Sequence, residues 1–245
     1  MEVYDPRPLL PVEDISLSND DPQLNADLSL VARSATQEFS TLFSAPPPAG
    51  TRPVTICYRA EGPMTDSIKD TTRYIVYLSV AYWDPARLVY QLAHELCHVF
   101  TDPRRHNWFV ESCCAMASTV LLCRMAELWA NSPPPVNRKM RALNFRHYAQ
   151  KVIRDARKAQ KPTWRQGKDL EILRPLFDES SHNWNALRFL GQASTCPPAD
   201  LTDWNDRQRG FSFERWLHAV PPYLNDIVRR ISNIPEDRWD YRMQP

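Results

Sequence analysis

Two histidines and a glutamate in this chain have the spacing of a metal site with a general base beside it. They lie in His94-Glu95-Leu96-Cys97-His98, an HExxH pattern. Histidines four residues apart lie one above the other on a helix face, so both imidazoles can bind one Zn²⁺ ion. Glu95 projects beside that face, where its carboxylate can take a proton from a water molecule that the metal makes acidic. The pattern therefore predicts one Zn²⁺ per chain and a general base at Glu95.

A catalytic zinc ion needs a third protein ligand and one open position. The extension of HExxH by a glycine and a third histidine is excluded, because Thr101 and Arg104 occupy those positions. Glu111 is the favoured third ligand, since a helix that turns back after a short loop would carry it towards His98, and its neighbours are mostly apolar. Two polar residues nearer to the motif are the alternatives, Asp102 and His106.

Two helices are predicted to carry these residues. Asp84 followed by Pro85 is typical of an N-cap and a first helical position, and the helix that begins there should run through the HExxH residues to about Phe100. Asn107 can cap a second helix, which holds Glu111 one turn from its start and should run to about Trp129. The metal site is therefore expected between two consecutive helices.

The segments before these helices predict a small sheet and one further helix. Residues 54–58 and 73–81 are rich in β-branched and aromatic side chains, which is typical of strands. Apolar residues three or four apart predict a helix over 23–43. Proline and aspartate without periodicity predict a loosely ordered arm over 1–20, and 61–72 is predicted to be a polar loop.

The rest of the chain has a helical pattern interrupted at prolines. The order of elements predicts an α+β fold with a largely helical C-terminal lobe. With 245 residues, the chain is long enough for one core and an appended lobe. We therefore expect a single domain over 21–245, in which 21–132 form a catalytic lobe and 133–245 a helical lobe.

The composition excludes several classes of protein. Only 5 glycines occur among 245 residues, and neither a P-loop nor a GxGxxG pattern is present, which argues against kinases, P-loop NTPases and dinucleotide-binding enzymes. The six cysteines form no CxxC pair and are expected to be free thiols. No signal peptide or apolar run of about 18 residues is visible, which predicts a cytoplasmic protein without a transmembrane segment. Leaderless secretion as an effector or toxin stays open.

HExxH followed on the next helix by a glutamate resembles the gluzincin branch of the zincin metallopeptidases, the group with thermolysin-like and aminopeptidase-like enzymes. The string Trp108-x-x-Glu111-Ser112-x-x-Ala115 is similar to the Trp-x-x-Glu-Gly-x-x-Ala segment around the third ligand of aminopeptidase-like members. The resemblance covers about residues 73–122. Two departures are a shorter separation of His98 from Glu111 and the absence of a Gly-Ala-Met-Glu-Asn segment, so specificity for a free N-terminus has no support.

The resemblance implies that His94, His98 and Glu111 bind zinc and that Glu95 is the general base of peptide-bond hydrolysis. It implies a zincin-like fold, in which a small mixed sheet offers an edge strand to an extended substrate, and 73–81 would be that strand with Tyr77 and Ser79 at the substrate. It also implies a residue that stabilises the oxyanion, for which there are three candidates in the helical lobe, His182, His218 and Tyr223. The expected activity is that of an endopeptidase with a restricted protein or peptide substrate.

A basic segment provides the main alternative. Residues 137–161 carry many arginines and lysines and one acidic residue, Asp155, together with an apolar stripe that is typical of an amphipathic helix. The helix can be a solvated surface packed on the core, or it can bind nucleic acid or an anionic surface. The alternative function is therefore a zinc-containing, non-catalytic interaction module or such a binder.

Overall fold

The fold is known from a computed structural model. It describes residues 10–17, 21–43, 50–80, 84–104, 107–131, 138–158, 169–178, 181–195 and 210–235. The architecture is mixed α and β, with a small mixed sheet followed by a mostly helical remainder, which confirms the predicted fold class at this level.

The sheet has four strands: β1 (Val12–Ser16), β2 (Val54–Tyr58), β3 (Met64–Asp66) and β4 (Tyr74–Leu78). Their order across the sheet is β1-β2-β4-β3. β1, β2 and β4 are parallel, and β3 is antiparallel to β4. The short β3 is therefore an edge strand.

Three expectations about the N-terminal half are corrected. Val12–Ser16 is an ordered edge strand and not part of a loose arm, because its backbone pairs with β2. The predicted polar loop over 61–72 contains β3. The strand within 73–81 is not an edge of the sheet, because β4 lies between β2 and β3.

Three long helices form the centre of the molecule: α1 (Pro22–Thr41), α2 (Pro85–Thr101) and α3 (Trp108–Asn131). Their starts and ends agree with the predicted ones to within two residues. The predicted caps form as well, since the carboxylate of Asp84 accepts a hydrogen bond from the backbone N–H of Arg87 at the start of α2. Stacked rings of Phe43 and Phe100, with centroids 4.2 Å apart, pack the end of α1 on the end of α2.

α3 is apolar on almost every side. Its length and hydropathy would suffice to cross a membrane, contrary to the expectation that the chain has no apolar run of about 18 residues. However, 83% of the relevant window is buried inside the protein. Helices with this composition occur in the cores of large domains as well as in membranes. Here α3 packs against α1 and α2 and is the central core helix.

The remainder of the described chain is helical. It contains α4 (Arg138–Lys158), α5 (Asp169–Asp178), α6 (Ser181–Trp184), α7 (Leu190–Ala193), α8 (Phe213–Ala219) and α9 (Asn225–Ser232), with 3₁₀ turns at Asn185–Phe189 and Pro222–Leu224. Two fully buried tryptophans join these short helices. Trp184 donates its indole N–H to the carbonyl of Phe177, and Trp216 donates to the carbonyl of Ala186, both across 2.9 Å.

The helical remainder packs on the first turn of α3, next to Glu111. Phe109 stacks on Phe211 with ring centroids 4.5 Å apart, and Trp216 lies edge-on at 5.2 Å. Gly191 of α7 approaches the end of α2 so closely that an added Cβ would lie 2.7 Å from the backbone oxygen of Thr101. Both helices that carry the HExxH and glutamate residues are therefore held in place by the C-terminal elements.

Candidate metal centre

The two histidines of HExxH lie on one face of α2. Their rings are stacked edge to face with centroids 5.0 Å apart, as expected for residues four apart on a helix. The helix begins at the Asp84 cap and is almost entirely buried from Leu88 onward. The position of both imidazoles is therefore set by a rigid core helix.

Glu111 faces these histidines from α3. Asn107 caps this helix, and its side-chain oxygen accepts hydrogen bonds from the backbone N–H groups of Phe109 and Val110. The backbone N–H of Glu111 donates to the carbonyl of Asn107, which places Glu111 one turn into the helix. The short loop thus turns α3 back along α2, as predicted.

The carboxylate of Glu111 bridges the two imidazoles. Its Oε2 lies 3.2 Å from Nε2 of His94, and its Oε1 lies 3.5 Å from Nε2 of His98. Donor atoms bound to one tetrahedral Zn²⁺ at about 2.0–2.1 Å are about 3.3 Å apart. The two nitrogen–oxygen distances are close to this value, and binding of one Zn²⁺ by these three residues stays a prediction.

Cys114 is a further possible donor. It lies one turn after Glu111 on α3, and its sulfur and the ligand nitrogens of His94 and His98 all lie within 4.8 Å of one another. Burial raises the pKa of the Cys114 thiol well above its usual range, and a hydrogen bond with Cys97 and the nearby Glu111 carboxylate act in the same direction. No disulfide joins the described cysteines, which are Cys57, Cys97, Cys113, Cys114 and Cys123.

Glu95 is buried beside the histidines, and a residue of the sheet forms a hydrogen bond with its carboxylate. Its Oε2 accepts a hydrogen bond of 2.8 Å from the hydroxyl of Thr65, which belongs to the edge strand β3. Only 4% of Glu95 is exposed. A carboxylate in such a site keeps a fixed orientation, as a general base requires.

The site has one partly open side. The side chain of His94 is 12% exposed, whereas that of His98 is 3% exposed and that of Glu111 8%. His94 therefore marks the direction from which a small molecule reaches the three donors.

Of the two predicted substrate residues, Tyr77 lies on β4 and Ser79 directly follows the end of this strand. The hydroxyl of Tyr77 accepts a hydrogen bond from Lys69, and Ser79 is bound to the side chain of Gln91 on α2 through its backbone N–H and its hydroxyl. Because β4 is paired with β2 and with β3 at Tyr77, this residue cannot pair its backbone with a substrate. A side-chain role of Tyr77 and Ser79 stays a prediction.

The three oxyanion candidates are exposed at the surface of the helical remainder. His182 lies at the start of α6, and Nδ1 of His218 is 2.7 Å from the carbonyl oxygen of Glu214 in its own helix. Tyr223 is 64% exposed. All three residues therefore lie at the surface, and a role for any one of them stays a prediction.

The alternative third ligands differ from Glu111 in their surroundings. The carboxylate of Asp102 accepts hydrogen bonds from Nε and a terminal nitrogen of Arg104. His106 lies outside the described residues. Glu111 is the candidate whose oxygens the structure places next to both histidines.

The basic helix forms over Arg138–Lys158 within the predicted range 137–161. Phe145 and Ala149 are buried on its inner side, whereas Arg146, Lys151 and Arg154 are exposed. This arrangement is that of an amphipathic helix packed on the core. Binding of nucleic acid or an anionic surface stays a prediction.

Sequence reasoning missed Thr65 and Cys114. Thr65 had no local signal, because its contact with Glu95 joins residues 30 positions apart. Cys114 had a local signal, since residues three apart on a helix share a face and Glu111 was already a candidate ligand. A buried cysteine in an apolar helix is, however, also typical of plain core packing.

Comparisons with known protein families, curated proteins and solved structures found no match to this chain.

Proposed function

We propose that this chain is a zinc-dependent metallopeptidase in which His94, His98 and Glu111 bind the metal and Glu95 is the general base. The observation that carries the proposal is the convergence of two imidazole nitrogens and the Glu111 carboxylate, at 3.2 and 3.5 Å, beside a buried glutamate. A site that served only to bind metal would not need Glu95. Its place in HExxH and its burial beside the histidines therefore favour hydrolysis.

Zn²⁺ bound by these residues supplies a Lewis acid that polarises a carbonyl group and lowers the pKa of water. Glu95 takes a proton from the attacking water and passes it to the leaving amine. The Thr65 hydroxyl holds one oxygen of Glu95 during both transfers. The protein walls around Glu95 and His98 keep bulk water away, which strengthens the electrostatic interactions inside the site.

The sheet supports a peptide as the substrate. Within the described part of the chain β3 pairs with β4 alone, so its other edge has backbone groups that an extended chain can bind. Thr65 in this strand touches Glu95, which places the edge strand next to the proposed base. An extended peptide paired with β3 would therefore pass close to the metal ligands, and the same arrangement favours cleavage within a chain.

The test compares the zinc-loaded wild type with Glu95→Gln on a peptide library derived from a whole proteome. We expect Glu95→Gln to retain its zinc and to lose about 10²–10⁴-fold in cleavage rate, because the amide cannot accept the proton. Glu127→Gln is a matched control, since Glu127 is an exposed residue of α3. Unchanged cleavage by Glu95→Gln, or a zinc-loaded wild type that cleaves no peptide, would overturn the proposal.

A further inference from the structure

Cys114 lies where a fourth ligand of the same metal would lie. It is fully buried, and it follows Glu111 by one helical turn on the face of α3 that meets α2. Its sulfur is within 4.8 Å of the ligand nitrogens of both His94 and His98. The two histidines of α2 and Cys114 of α3 therefore form a group of donor atoms that lie within 4.8 Å of one another, and the Glu111 carboxylate contacts the same two imidazoles.

The neighbouring cysteines do not share this position. Cys97 lies on α2 between the two histidines in sequence and forms a hydrogen bond with Cys114. Cys113 is equally buried but precedes Cys114 by one residue, which turns its side chain by about 100° around the helix. Among the described residues, the cluster of potential metal ligands accordingly consists of His94, His98 and Cys114, without Cys97 or Cys113 and without Glu111, which reaches the two histidines at 3.2 and 3.5 Å.

We propose that Cys114 is a fourth protein ligand of the metal held by His94, His98 and Glu111, so that the resting site is closed by a thiolate. On binding, the S–H bond of Cys114 breaks, the proton leaves to solvent, and the sulfur donates an electron pair to the metal. No oxidant or reductant takes part. The thiolate also makes the site selective for thiophilic ions such as Zn²⁺, Cd²⁺ and Co²⁺ over Mg²⁺ and Ca²⁺.

A site with four protein ligands has no open position for water or substrate. If the chain is the peptidase proposed above, the open position exists only while Cys114 is released. The thiol is then an internal restraint on hydrolysis, and its removal should raise the activity. This last step depends on the proposed function, whereas the ligation of Cys114 does not.

The test is the absorption spectrum of the full chain loaded with Co²⁺. A cysteine thiolate bound to Co²⁺ produces an intense charge-transfer band in the near ultraviolet, which nitrogen and oxygen ligands do not produce. We expect this band in the wild type and in Cys113→Ser, the matched control. We expect its complete loss in Cys114→Ser, with one Co²⁺ per chain still bound.

If Cys114→Ser does not fold, Cys97→Ser and Cys113→Ser take its place, and a wild-type band that both variants retain supports Cys114 as the ligand. A wild type that binds one Co²⁺ without the band, or that binds no Co²⁺, overturns the proposal. A band that persists in Cys114→Ser also overturns the proposal, because another thiol would then be the ligand. The band together with faster peptide cleavage by zinc-loaded Cys114→Ser supports both ligation and restraint. The band without cleavage by either protein supports ligation and refutes the peptidase.

Discussion

The hydroxyl of Thr65 donates a hydrogen bond to Oε2 of Glu95 across 2.8 Å, and the Thr65 hydroxyl oxygen also lies 3.1 Å from the backbone carbonyl oxygen of Glu95. A hydroxyl has one proton, so the shorter contact to the carboxylate is the one that receives it. The edge strand thereby fixes the orientation of a carboxylate on the HExxH helix. Sheet and helix meet at the residue that we propose as the general base.

Replacing Thr65 by valine should slow hydrolysis without weakening substrate binding. Valine has nearly the shape of threonine but no donor, and the loss of a hydrogen bond to a charged group costs about 1.5–3 kcal/mol. We expect kcat to fall by roughly tenfold or more with KM nearly unchanged, measured on any peptide that the wild type cleaves.

Thr65→Ser is the control for this experiment, because it keeps the hydroxyl and should retain most of kcat. Equal losses in Thr65→Ser and Thr65→Val would show that packing, and not the hydrogen bond, explains the effect. An unchanged kcat in Thr65→Val would remove Thr65 from the positioning of Glu95.

Glu111→Gln should weaken zinc binding strongly, because the amide carries no charge and its nitrogen cannot donate a lone pair to the metal. Loss of a group that only supports a ligand costs about 10–100-fold in metal affinity, so loss of a ligand should cost more. Zinc affinity is measured by competition with a coloured chelator.

Two further variants are compared with Glu111→Gln in the same measurement of zinc affinity. Glu127→Gln changes an exposed glutamate of the same helix and should leave zinc affinity unchanged. His106→Ala tests the alternative third ligand and should have little effect. A larger loss in His106→Ala than in Glu111→Gln would reverse the assignment.

Gly191→Ala should destabilise the fold by about 1–3 kcal/mol, the usual cost of forcing a methyl group into a packed region. The new Cβ would lie 2.7 Å from Cβ of Asp102 and from the backbone oxygen of Thr101, and backbone cannot swing aside. The free energy of unfolding is measured in urea. Gln192→Ala, at the exposed neighbouring position, should change it by less than about 0.5 kcal/mol.

The helices of the site could be predicted because their signals are local. Asp84 and Asn107 cap α2 and α3 as the sequence indicates, and the spacing of His94 and His98 places them on one face. The position of Glu111 could be predicted from the Asn107 cap, since a helix that begins there has Glu111 one turn from its start.

The edges of the sheet could not be predicted, because they depend on pairing between distant segments. Val12–Ser16 contains two acidic residues and no clear alternation, and it becomes a strand by pairing with β2 across the whole of α1. Met64–Asp66 is three residues long and exists as a strand only beside β4. Its contact with Glu95 could not be inferred without that register.

The burial of the metal ligands has a kinetic consequence. With His98 and Glu111 almost fully covered and His94 slightly exposed, a chelator can approach an ion at this site only from the side of His94. Release of the ion would therefore be slow unless this part of the protein opens. The metal content of a purified sample would therefore record which ion the chain acquired as it folded, more than which ions later surrounded it.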